Sequence, residues 1–168
     1  YCGNTGGWYT RDNGQIESDG TGPGSELFCG SIENNSWLSF IATSTTAVLN
    51  IASSGCAFTG SGIQAQVFST TNCSTFTSKS NCVNQSASAG TAVLNATGLT
   101  IGQKYYVMID GYGGNICNYT VTAQSGVQTL TIASSAGATI CNGGTTTLTL
   151  NGASAGSTYA WTPVASIT

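Results

Sequence analysis

The sequence predicts an all-β fold: a jelly-roll-like β-sandwich followed by the first part of an Ig-like β-sandwich. Three observations lead there. Apolar residues recur every second position in many short runs, so that one face of each run is apolar and the other polar. No segment keeps apolar residues at i, i+3, i+4 and i+7 for three turns, so amphipathic helices are missing. Gly, Ser, Thr and Asn, residues that favour turns over helix interiors, punctuate the whole chain, which holds 23 glycines in 168 residues.

The elements follow in order. Ser36-Trp37-Leu38-Ser39-Phe40-Ile41-Ala42 is the first clear strand. Ala47–Ala52 follows after a short Ser/Thr turn. Ile63–Phe68 alternates with Ile63, Ala65 and Val67 on one face. Ala92, Leu94 and Ala96 share a face in the next run. Lys104–Asp110 carries the strongest strand pattern, and its neighbours Tyr105 and Tyr106 must point to opposite sides of the sheet. Cys117, Tyr119, Val121 and Ala123 then face one way and Asn118, Thr120 and Thr122 the other. Evenly spaced strands with Gly-rich turns predict two packed sheets.

Composition shifts around Gln124–Gln128. The expected organisation is a first domain over 1–124, a linker over 125–128, and a second domain over 129–168. The second carries strand patterns at Leu130–Ile132, Thr146–Leu150 and Tyr159–Pro163. About 40 residues are too few for an independent sandwich, so this part is expected to be the truncated beginning of a domain.

Charge excludes several functions. Three basic and six acidic residues give a net charge of −3 with no histidine. Three cations cannot neutralise a run of phosphates, so nucleic acid is not an expected partner, and an anionic membrane surface is excluded on the same ground. No apolar run approaches the roughly 18–20 residues that span a bilayer, and the residues from Tyr1 lack the basic, apolar, small-residue pattern of a leader, so a mature or trimmed chain is expected. Only 5% of residues are charged, far below the ~25% of ordinary soluble domains.

Seven cysteines occur, none in a C-x-x-C pair. Scattered cysteines in a Ser/Thr/Gly-rich β chain predict disulfides in an oxidising compartment, not a zinc site. Cys2, Cys29, Cys56, Cys73, Cys82 and Cys117 fall in the first domain, an even six, and Cys141 stands alone in the second with its partner expected past Thr168. The favoured pairing is Cys73–Cys82, closing a Ser/Thr-rich loop, with Cys56–Cys117 joining one strand's end to the start of the last, which leaves Cys2–Cys29.

Three stretches carry a resemblance. They are Cys29–Phe40, Gly62–Phe68 with Cys73 after it, and Leu99–Gly111 with Cys117-Asn118-Tyr119. Over most of 29–123 the chain resembles a β-sandwich module of multidomain secreted proteins in gliding, type IX-secreting bacteria, in the style of CUB-like and pre-peptidase C-terminal domains. Ile140–Thr145, the Leu148/Leu150 strand and Tyr159–Pro163 resemble the opening of an Ig-like or PKD-like repeat of gliding-motility adhesins. The resemblance implies an extracellular module at the bacterial cell surface, carried alike by adhesins and by secreted enzymes.

Chemistry within the chain is sparse. Without histidine, Ser-His-Asp and Cys-His machinery is impossible here. The acids form no obvious catalytic pair, so no enzyme activity is expected. Asp110 ends a strand before a Gly-rich loop with Asn115, and with Glu33 or Asp19 folded onto it the loop would offer oxygen ligands to Ca²⁺. CUB-like domains use sites of that kind. The alternative is a hairpin turn with Asp110 accepting backbone N–H bonds. Ile32–Asn35, ahead of the Trp37 strand, is expected to anchor that bend structurally. Trp8, Tyr9, Tyr106 and Tyr112 would make a sugar-stacking surface if they reached one face.

The resulting expectation is a non-catalytic extracellular module of a cell-surface adhesin or filament. Its partners would be other domains of the same chain, surface glycans or a neighbouring surface protein. The alternatives are a carbohydrate-binding module or an accessory domain of a secreted hydrolase.

Overall fold

The computed structural model describes residues 28–30, 32–72, 75–135 and 143–152. The chain divides into two units, Tyr1–Val127 and Gln128–Thr168.

The first unit is an all-β sandwich. Its strands are β1 (Ser36–Ile41), β2 (Thr46–Ser54), β3 (Ile63–Ser69), the two-residue β4 (Thr77–Ser78) and β5 (Val83–Asn84), β6 (Gly90–Thr97), β7 (Lys104–Gly111) and β8 (Asn118–Ser125). One sheet runs β1-β7-β3-β4, with β5 also on β3, and the other runs β6-β2-β8. All pairings among these strands are antiparallel. The chain repeatedly crosses from one sheet to the other, so strand neighbours are distant in sequence, in the manner of a jelly roll.

The alternation dictates the core. Phe40 of β1, Leu49 and Ile51 of β2, Ile63 and Val67 of β3, Leu94 of β6 and Val107 and Ile109 of β7 meet between the sheets. Cys117, Tyr119 and Val121 pack against them from the β8 side. Tyr105 is also in this core and spends its hydroxyl on the Thr100 amide at 2.7 Å, which satisfies the one polar atom it buries.

The outer face of the larger sheet is covered, contrary to a simple one-face-wet pattern. Strand β3 is buried along both faces. On its outer side Phe68 joins Phe28, Phe76 and Met108 in a second cluster, with Ile32 and Trp37 against it. Trp37 lies 5.5 Å from Phe76 and 6.2 Å from Phe68 between ring centroids. The segment carrying Phe28 and Ile32 therefore lies over this sheet.

That covering segment decides the cysteine pairing. Cys29 bonds Cys82, and Cys56 bonds Cys117. The local Cys73–Cys82 pair favoured by the sequence is replaced, and with it Cys2–Cys29. Both β4 and β5 pair with β3, which carries Cys82 to the sheet face where Phe28 docks. The Cys29 amide, at 3.0 Å from the Cys82 sulfur, belongs to the same junction. Cys2 and Cys73 lie outside the described residues.

The first unit also runs further than its composition suggests. Ser125 of β8 pairs with Val48 of β2, Thr43 N–H donates to the Gly126 carbonyl at 2.9 Å, and Val127 bridges Ala42. Most of the expected linker 125–128 is thus sandwich. Gly126 permits this at φ 72°, where a Cβ would overlap the Thr46 carbonyl.

In the second unit β9 (Thr131–Ser134) and β10 (Leu148–Asn151) form an antiparallel pair. Gln128 Nε2 donates to the Gly152 carbonyl at 2.6 Å. Cys141 and the expected strand Tyr159–Pro163 lie outside the described residues.

Candidate functional site

The chemistry-bearing residues gather at one end of the first sandwich, where β7 finishes. Asp110 is 1% exposed on the outer face of β7. Its Oδ1 accepts the backbone N–H groups of Asn34 at 2.8 Å and Glu33 at 3.2 Å. Its Oδ2 accepts Gln64 Nε2 at 2.8 Å. Burial nevertheless dominates: desolvation, helped by the nearby Glu33 charge, pushes the carboxyl up to about 6, against the lowering pull of the Gln64 side chain and the Asn34 and Glu33 backbone amides.

Asn34 locks the same corner. Its Oδ1 accepts the Gly111 amide at 3.0 Å and its Nδ2 donates to the Asn115 carbonyl at 2.9 Å. Gly111 has to be glycine, because a Cβ there would overlap that Asn115 carbonyl. The bend at Ile32–Asn35 is therefore held by Asp110 and by its own Asn34 amide. One oxygen of Glu33, Oε2, is buried without a hydrogen bond.

Asn115, likewise 1% exposed, clamps a different loop. Its Oδ1 accepts the Phe58 amide at 3.0 Å. Its Nδ2 sits 3.0 Å from the Phe58 carbonyl and 2.8 and 2.9 Å from the Ser61 carbonyl and hydroxyl. A single 3-10 turn, Tyr112–Gly114, leads from β7 into it.

These contacts bear on the calcium reading. Asp110 and Asn115 are adjacent in the fold, but their oxygens point at N–H donors. Three N–H dipoles converging on Asp110 place partial positive charge where a cation would bind, so the donor set does not fit Ca²⁺. Among the described residues no three Asp, Glu or Cys side chains converge as a metal-binding group. Asp19 lies outside the described residues.

The aromatic reading also divides. Tyr106 sits opposite Ser39 and Phe68 near the start of β7, whereas Tyr112 follows its end. They are six residue steps apart, about 20 Å along the strand, so they do not share a platform. Trp8 and Tyr9 lie outside the described residues.

The sequence reading missed what surrounds Tyr112. Phe58 is 57% exposed, Ile116 45% and Tyr112 40%. Ala57 N–H donates to the Ile116 carbonyl and Tyr112 N–H to the Gly62 carbonyl, so the Asn115 clamp and the Cys56–Cys117 bond hold all three side chains' loops. Beside them opens a cavity of about 160 Å³ lined by Asn34, Asp110, Asn115, Ile116, Asn118 and Tyr119, among others. Tyr119 OH shares a 2.7 Å hydrogen bond with Ser36 Oγ at the edge of this end. A hint existed in Ala57-Phe58 and Ile116, apolar residues set in Gly/Ser-rich loops, but loops carry no periodicity to show which of them converge.

Fold and covalent links together define a disulfide-bonded all-β sandwich. Such bonds persist in oxidising compartments, and among the described residues no helix is long and apolar enough to cross a membrane. Compared with protein-family models, curated proteins and solved structures, the chain matches none.

Proposed function

We propose that the chain is a non-catalytic extracellular module that bears load and presents a surface, as part of a cell-surface adhesin or filament. The observation that carries this reading is the interleaving of the two disulfides seen among the described residues: Cys29–Cys82 and Cys56–Cys117 overlap in sequence. The chain enters β1 at the end that holds Ile109 and leaves through Val127, beside Ala42, at the other. Tension between the chain ends therefore acts along the strands and loads many ladder hydrogen bonds together.

The covalent route from Cys29 to Cys117 then needs only about 27 residues of backbone, by way of Cys56. Extended, that is at most about 95 Å. Reduction would release the 61 residues spanned by Cys56–Cys117, about 210 Å more. The low charge supports the same reading, since the domain stays soluble through hydroxyls and amides and its stability depends little on salt.

Single-molecule stretching of the whole chain tests this. The expected trace shows a resolved unfolding peak for the first unit, followed by an extension inside the 95 Å limit between Cys29 and Cys117. Reductant should lengthen it by up to about 210 Å. Unfolding with no measurable force peak would overturn the load-bearing reading.

A further inference from the structure

We infer that the β7 end of the sandwich is a binding site for a neutral saccharide, with Phe58, Tyr112 and Ile116 as the apolar platform and Asn118 as the polar contact. Five large apolar side chains of the first unit's described residues are well exposed: Phe58, Val93, Ile101, Tyr112 and Ile116. Three of these five stand on the two loops that Asn115 ties together. Exposed apolar groups scattered singly need no explanation, but a cluster on one rim does.

The rim is rigid before any ligand arrives. Asn115 makes hydrogen bonds to Phe58 and Ser61, and the Cys56–Cys117 bond closes the base of both loops. A ligand that docks here orders little, which favours binding of a weakly interacting partner.

The chemistry of the lining selects the occupant. The cavity beside the rim is lined by amides, a phenol and aliphatic groups, and its one ionisable acid, Asp110, is already surrounded by N–H donors. No basic residue lines it, so phosphate, sulfate and acidic glycans have no counter-ion. A purely apolar ligand would leave the polar lining unmatched. A neutral sugar ring offers both an apolar C–H face for Tyr112 or Phe58 and hydroxyls for amide partners. Asn118 lines the cavity and is exposed, and among the described residues its side chain has no hydrogen-bond partner, which leaves its donor and acceptor ready for such hydroxyls.

The test uses the whole oxidised chain on an array of neutral oligosaccharides, including hexamers of glucose, mannose and xylose. Hits are then measured by calorimetry. Binding should be insensitive to salt, and Tyr112→Ala, Phe58→Ala and Asn118→Ala should each weaken it by about tenfold, with unchanged thermal midpoints as the folding control. Ile101→Ala, an exposed residue away from this rim, should leave it unchanged. No hit across the array overturns the inference, as does binding that these three variants leave intact or that salt abolishes.

Discussion

Gln64 and Asp110 face each other as register partners on β3 and β7, and their side chains bond at 2.8 Å. The pair lies on the face of the larger sheet that the segment around Cys29–Asn34 covers. It turns what would be an ordinary cross-strand contact into a buried carboxylate that fastens that segment through two backbone amides.

A pH dependence follows from that burial. The folded carboxyl keeps its proton up to about 6, whereas the ordinary value is 3.8. Between these values the folded state binds a proton that the unfolded state has lost. Stability from this group is full below about pH 4, falls by at most about 1.4 kcal/mol per pH unit as pH rises towards 6, and is level above that. Urea unfolding from pH 4 to 7 should show this decline, and Asp110→Asn should remove it. A stability that rises with pH across the same window would contradict the assignment.

Calcium should not stabilise the β7 end. The oxygens of Asp110 and Asn115 accept N–H groups and leave a cation without an adequate ligand set. Melting curves in millimolar calcium and in chelator should superimpose. A rise of several degrees with calcium would show that the N–H donors give way.

Removing the Asn115 clamp should loosen the loops it holds. Asn115→Ala leaves the Phe58 amide and the Ser61 carbonyl without their partner. A cost of about 2–4 kcal/mol is expected in denaturant unfolding, together with faster proteolysis within 56–62. Asn115→Asp keeps the acceptor for the Phe58 amide but buries a carboxylate oxygen against the Phe58 and Ser61 carbonyls, so it should cost at least as much as Asn115→Ala.

The cross-links are each worth a measurable amount. On the chain-entropy model a loop of 61 residues, as in Cys56–Cys117, contributes about 4 kcal/mol. Replacing both cysteines by serine should lower stability by that order. Peptide mapping without reductant should recover Cys29 joined to Cys82 and not to Cys2. A linked Cys73–Cys82 peptide would refute the observed connectivity.

The outer aromatic cluster should matter as much as the inner core. Phe68 is fully buried between Trp37 and Phe76. Phe68→Ala should cost about 3–5 kcal/mol, a loss not expected of a residue on a solvated sheet face. Near-ultraviolet circular dichroism of Trp37 would report the same loss of packing.

Much of this protein was legible in the chain because strand pattern is local. Alternation within six to nine residues marks β1, β2, β3, β6, β7 and β8 whatever their neighbours are. The scarcity of charge and the odd seven cysteines likewise need no coordinates, and they pointed to disulfides. Asp110 drew notice as an acid at a strand end before a Gly-rich loop, a pattern that suits a calcium ligand, with acceptance of backbone N–H bonds as the alternative.

Tertiary structure decided the rest, because it depends on which distant segments meet. Cys29 and Cys82 are 53 residues apart and become neighbours only when the segment from Phe28 lies across β3 and β7. The burial of Phe68, the N–H donors around Asp110 and the gathering of Phe58, Tyr112 and Ile116 on one rim depend on the same long-range pairings. Sequence alternation states which residues share a face of one strand. Only the packing of one sheet on another, and of a loop over both, determines whether that face meets water, an aromatic ring or a backbone amide.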